Sequence, residues 1–167
     1  TTEDAYLRVI SAKTAALFAA ACQIGAVVCE RPRAEEEALL SFGRNLGIAF
    51  QLVDDALDYS ARQITLGKTV GDDFRECKIT LPVVIARRRG SAQDKAFWDR
   101  ALSPDTQEDG DLTHAIHLIR STGAAEDTLA EARSYITIAK KALSALPPSD
   151  FVSALSDLAD FCVDRAY

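Results

Sequence analysis

The sequence predicts an all-α chain. Apolar residues recur at three- and four-residue spacing over long stretches, no run alternates convincingly at period two, and the prolines fall between these stretches or at their starts. No fixed-period repeat is visible. At 167 residues and 48% hydrophobic content, the chain is one domain or part of one. A chain of this length buries roughly two thirds of its unfolded surface.

The elements follow in order. Thr2 can cap a first helix, with Glu3 and Asp4 in its opening turn, that runs through Ala-rich sequence to about Glu30. Arg31-Pro32-Arg33 breaks it. A second helix starts near Ala34, carries Leu39, Leu40, Phe42, Leu46, Phe50, Val53 and Leu57, and ends between Tyr59 and Gln63. Gly67 and Gly71 mark a loop. Thr80 then reads as an N-cap, with Pro82 in the first turn of a short helix closed by Gly90. Ser91 to Leu102 forms another, and Asp105 to Asp111 is a polar loop. Three further helices are expected over Leu112–Ser121, Ala124–Leu146 and Ser149–Ala166, punctuated by Gly123 and Pro147-Pro148.

Composition excludes several classes. The first residues, Thr1-Thr2-Glu3-Asp4, are acidic and unlike a secretory leader, and the cytoplasm is the expected location. Ala15 to Val28 is interrupted by Cys22, Gln23 and Gly25 and reads as a buried core helix rather than a transmembrane segment. Cys22, Cys29, Cys77 and Cys162 form no CxxC pair, so free thiols are expected and a zinc site is not. The net charge is −6, and the one basic run, Arg87-Arg88-Arg89, reads as a solvated helix end in favourable contact with the helix dipole. Nucleic acid is not an expected partner.

The chemistry concentrates in Phe50-Gln51-Leu52-Val53-Asp54-Asp55-Ala56-Leu57-Asp58-Tyr59 and the lysines after it. Carboxylates in an apolar run cost free energy unless a cation meets them. Asp54 and Asp58 share a helix face, roughly 5–6 Å apart at Cβ. Asp55 is rotated by about 100° and reaches the edge of the cluster. Magnesium suits such a set, since it often binds through one or two carboxylates plus substrate phosphates; manganese or calcium fits nearly as well. A solvated acidic face is the competing reading. Leu52, Val53, Ala56 and Leu57 count against it, because they leave only a narrow polar stripe. Lys68, after Gly67, and Lys78, before the helix start at Thr80, are point-charge binders of phosphate oxygens. Lys13-Thr14 is a polar pair in the otherwise small and apolar first helix, where a lone lysine is more often a snorkelling surface residue.

Taken together, Gly47-Ile48-Ala49-Phe50-Gln51, Asp54-Asp55-x-x-Asp58-Tyr59, Gly67-Lys68-x-x-Gly71-x-Asp73 and Lys78-x-Thr80-Leu81-Pro82 resemble the C-terminal half of the trans-type polyprenyl diphosphate synthases. Lys13-Thr14 matches that family's Lys-Thr pair. The match is clear from Glu3 to Arg89 and looser beyond. Cys77 departs from it, standing where the family usually has glycine.

The resemblance implies an incomplete helical bundle of the isoprenoid synthase type. It also implies magnesium, an allylic diphosphate and isopentenyl diphosphate as ligands, and a homodimer or self-associating chain. By the same resemblance Asp54, Asp58 and Asp55 belong to a metal-binding motif. Gln51, Lys13, Thr14, Lys68 and Lys78 would touch the diphosphate, and Asp73 would orient Lys68 or a metal-bound water. The family's first aspartate motif, the arginine pair after it and the basic isopentenyl diphosphate site are not found, so half of a longer synthase, without turnover alone, is expected. Two alternatives stay open: a non-catalytic helical subunit of a two-chain prenyl synthase, and another ionisation-type terpene synthase.

Overall fold

A computed structural model describes residues 1–60 and 70–165. Among these every regular element is helical. They are α1 (Glu3–Ile10), a π-helical segment (Ser11–Ala15), α2 (Ala16–Val28), α3 (Arg33–Leu57), α4 (Asp72–Arg75), α5 (Leu81–Arg89), α6 (Ala92–Ala101), α7 (Asp111–Ser121), α8 (Ala124–Leu143) and α9 (Asp150–Asp164). The all-α expectation holds. Gly67 and Lys68 lie outside the described residues.

Two differences from the sequence reading have local causes. The expected first helix is one helical run, but it widens to π geometry over Ser11–Ala15, the stretch that carries Lys13 and Thr14. Such insertions concentrate at functional positions. The short helix α4 was not foreseen. Gly71 precedes it at φ +80°, and a Cβ there would lie 2.2 Å from Leu112 Cδ1, so both backbone and packing require glycine.

By its contacts the chain divides into two compact units. One comprises residues 1–6 and 54–129. Here α5, α6 and α7 pack on one another around the fully buried Trp98, with Phe74 edge-on to its ring at 6.4 Å between centroids. Ser91 and Asp94 form a reciprocal capping box at the start of α6. Arg100 and Asp111 tie the α6 end to the α7 start with two hydrogen bonds of 2.6 and 2.9 Å. The Arg87-Arg88-Arg89 run is an exposed helix end, as expected, and its side chains are paired there. Arg87 binds Asp99 at 2.8 Å, Arg88 binds Glu3 at 2.6 Å, and Arg89 donates to the Thr122 carbonyl and to Asp127.

The other unit comprises residues 7–53 and 130–167, described to residue 165. Its centre is the contact of α2 with α3 through small residues. Ala15 and Ala19 are buried, and a Cβ on Gly47 would meet Ala15 Cα at 2.7 Å. The Phe18 and Phe50 rings meet tilted at 38° with centroids 5.5 Å apart, and the Arg165 guanidinium lies 4.3 Å from the Phe50 ring centroid. Ser149 caps α9, which Lys140 of α8 reaches through Asp160 at 2.5 Å.

The core-helix expectation for Ala15–Val28 holds on one face only. The helical run Glu3–Val28 is long and apolar enough, by length and composition, to cross a membrane, and only 22% of its apolar window is buried. Leu17, Ile24 and Val28 are exposed, as are Phe151 and Phe161 on α9. The four cysteines are free thiols, as expected.

Candidate functional site

The carboxylate motif occupies the last turn of α3 and the residue after it. Periodicity drives the helix: Leu46, Ala49, Leu52, Val53, Ala56 and Leu57 are all buried, so one broad face goes to the core. The three aspartates are left with different surroundings. Asp54 is half-buried, whereas Asp55 and Asp58 are 2% and 6% exposed.

Each buried carboxylate has an identifiable satisfier. Asp58 spans to the loop ahead of it: Oδ1 accepts the backbone N–H of Asp72 at 3.2 Å and Oδ2 that of Asp73 at 3.0 Å. The Asp58 carbonyl also accepts the Gly71 N–H at 2.8 Å. These bonds hold the first turn of α4 against the end of α3. Burial pushes the Asp58 carboxyl above its ordinary range, and the two N–H groups pull against that shift. Asp55 accepts a short hydrogen bond from the Tyr6 hydroxyl of α1. Burial, then Asp55, Asp73 and Asp54 nearby, push the Tyr6 hydroxyl far above its ordinary value, so it stays protonated and donates.

Among the described residues no group of three or more His, Cys, Asp or Glu side chains is arranged to hold a metal ion. Asp55 and Asp58, both buried, accept from protein donors. Asp54 is half-buried at the same helix end. Magnesium fits such a position, since it keeps most of its waters and takes one or two carboxylates together with phosphate oxygens.

Lys78 stands beside these groups. Its ammonium donates to Asp73 Oδ1 at 2.9 Å and pairs with Glu76 at 2.7 Å. Glu76, then Asp73, raises the Lys78 ammonium well above its ordinary value. Half of the Lys78 side chain remains open to solvent, so an anion can reach it. Asp73 thus orients Lys78; the expected Asp73–Lys68 relation lies outside the described residues. Cys77 stands at a backbone position that suits the family's usual glycine: φ is +54°, the left-handed region in which glycine is unstrained.

In the second unit, Thr14 Oγ1 donates to Gln51 Oε1 at 2.9 Å, which orients the Gln51 amide. Lys13 is exposed on the π-helical segment. Sequence reasoning missed Tyr6. The one available signal was a tyrosine within an apolar stripe, whose hydroxyl must find a partner when buried.

A cleft of about 760 Å³ lies elsewhere in the first unit, lined by Glu3, Ile79, Val83, Arg87, Lys95 and Trp98 among others. It contains none of Asp54, Asp55, Asp58, Asp72 and Asp73, and its two arginines, Arg87 and Arg88, are paired with Asp99 and Glu3.

Comparison with known proteins decides the family. The profile described as polyprenyl synthetase matches residues 1–119. This chain belongs to the polyprenyl synthetase family. It is 41% identical to the octaprenyl diphosphate synthase of Haemophilus influenzae, over all of this chain and 50% of that protein. It is 40% identical to a short chain isoprenyl diphosphate synthase of Methanothermobacter thermautotrophicus, over 99% of this chain and 50% of that one. Among solved structures, a polyprenyl synthase of Caulobacter crescentus, in complex with calcium and isoprenyl diphosphate, superposes with a TM-score of 0.93 at 47% identity. That match covers 99% of this chain and 51% of the other. The chain spans about half the length of the curated relatives it matches.

Proposed function

We propose that this chain supplies one side of the diphosphate–metal site of a prenyl-transferring synthase, an enzyme that joins an allylic diphosphate to isopentenyl diphosphate head to tail. The observation that carries the reading is the bracing of Asp58 against Asp72 and Asp73, which sets the Lys78 loop beside the carboxylate helix end. A cation-binding carboxylate and an anion-binding ammonium are thereby presented together by one compact unit.

In this reading Asp54 holds magnesium, with Asp55 and Asp58 beside it in the motif. Bound there, the ion would neutralise negative charge that builds on the departing diphosphate. Lys78 binds diphosphate oxygens directly, and Asp73 holds its ammonium in place while the bond breaks. Lys13, Thr14, Gln51 and Lys68 are assigned to the diphosphate by resemblance, Thr14 acting in part by orienting Gln51. The allylic C–O bond breaks with its electron pair leaving on the diphosphate. The double bond of isopentenyl diphosphate forms the new C–C bond, and a proton is then lost, with the released diphosphate as acceptor. Interactions that strengthen as charge accumulates on the leaving group accelerate this step.

The isoprenyl diphosphate and calcium of the Caulobacter crescentus relative support both ligand classes. The test is calorimetric titration of this chain and of Asp54→Ala with farnesyl diphosphate, with and without magnesium. Magnesium-dependent binding by the parent chain that Asp54→Ala abolishes is the expected result. Equal magnesium dependence in both would overturn the role of Asp54.

A further inference from the structure

We propose that Tyr6 is a positioning residue of the diphosphate–metal site, acting through Asp55; the inference rests on the reading of Asp54 as the metal carboxylate. Tyr6 and Asp55 are 5% and 2% exposed, and the Tyr6 hydroxyl donates to Asp55 Oδ2. They lie 49 residues apart in sequence, so the bond ties α1 to the last turn of α3 within one unit.

The chemistry of the donor gives the pair its meaning. A buried carboxylate is costly unless it is hydrogen-bonded. An arginine or lysine at position 6 would satisfy Asp55 but cancel its charge. A tyrosine hydroxyl donates to it without itself bringing a positive charge. The same bond sets the rotation of the α3 end, because Asp54 and Asp55 are consecutive and about 100° apart on the helix. Fixing one side chain fixes the direction of the other. Partners that orient ligands from behind typically matter by 10–100-fold in metal affinity.

The experiment uses the 167-residue chain, with inorganic pyrophosphate and magnesium as the probe. Affinity is read by calorimetry for the parent, Tyr6→Phe, Asp55→Ala and the double variant, and folding by circular dichroism. Tyr6→Phe keeps the ring and loses the donor. It should weaken magnesium-dependent pyrophosphate binding about tenfold while the melting temperature moves only a few degrees. The double variant should bind no more weakly than the weaker single one, because both changes break one interaction. Unchanged affinity in Tyr6→Phe, or losses that multiply, would overturn the proposal and leave the diphosphate reading intact. A parent chain that shows no magnesium-dependent binding would overturn both. If Tyr6→Phe does not fold, Asp55→Asn and Asp55→Ala decide: the amide keeps an acceptor for Tyr6 and should bind about tenfold more tightly, and equal affinities would refute the claim.

Discussion

Gly43 of α3 lies directly against the backbone of Phe18 in α2: a Cβ at that position would stand 2.4 Å from the Phe18 carbonyl oxygen and 2.9 Å from Ala19 Cα. Backbone cannot swing aside as a side-chain tip can, so Gly43→Ala must push the two helices apart. A loss of about 1–3 kcal/mol is expected. Gly25 sits in α2 with nothing within 4 Å of its would-be Cβ, and Gly25→Ala should gain up to about 1 kcal/mol from helix propensity alone. Urea unfolding of the two variants, one substitution with opposite signs, checks both values.

Cys77 holds a left-handed backbone that costs a side-chain-bearing residue roughly 1–2 kcal/mol. Cys77→Gly should therefore be neutral to stabilising, the relief being partly offset by greater freedom in the unfolded chain. Cys77→Val should be destabilising by at least 1 kcal/mol or so, because a β-branched residue tolerates that region worst. Thermal melts of both variants provide the check.

Acid titration should separate carboxylates by sign. The Arg100 side chain holds the Asp111 carboxyl below its usual range, and the Ser91 side chain does the same for Asp94. Their contribution is present above the unfolded carboxylate pKa, about 3.9, and is lost as pH falls through their lower folded values. Asp58 runs the other way: burial raises its folded value, so its ionised form costs stability that is recovered as pH falls through that value. Melting temperatures recorded from pH 7 to pH 3 should fall less steeply for Asp111→Asn than for the parent, and more steeply for Asp58→Asn.

Lys78 serves the diphosphate as a point charge, so Lys78→Met should weaken pyrophosphate binding several-fold, and raised salt should weaken the parent more than the variant. The Lys78 contacts are half-exposed ion pairs, and their loss should change stability by less than about 1 kcal/mol. Fluorescence-monitored melting alongside the titration separates the two effects.

The elements legible in the sequence were those whose signal is local. The buried face of α3 repeats within one helix, and Ser91 and Gly90 mark a boundary by chemistry that acts over three residues. The motif order around Asp54, Asp58 and Lys78 was readable for the same reason. Tyr6–Asp55, Arg88–Glu3 and Arg89–Asp127 were not, because each joins side chains that only tertiary packing brings together. The split among three similar aspartates was also hidden. All three have the same residue type and neighbouring positions, yet Asp55 and Asp58 are buried while Asp54 is half-buried. The α4 turn escaped notice because four residues carry no periodicity.

Trp98 is the chain's one tryptophan, is fully enclosed, and belongs to the unit built from residues 1–6 and 54–129. Its emission should be blue-shifted in the native chain and move to the red as its surroundings open. The other unit holds no indole, so it is silent at that wavelength while still contributing ellipticity. Heating the protein under both signals thus compares one half with the sum of the two. Superimposed curves would mean that the α2–α3 packing and the carboxylate–lysine region melt as a single cooperative body, and a gap between them would measure how far one half outlives the other.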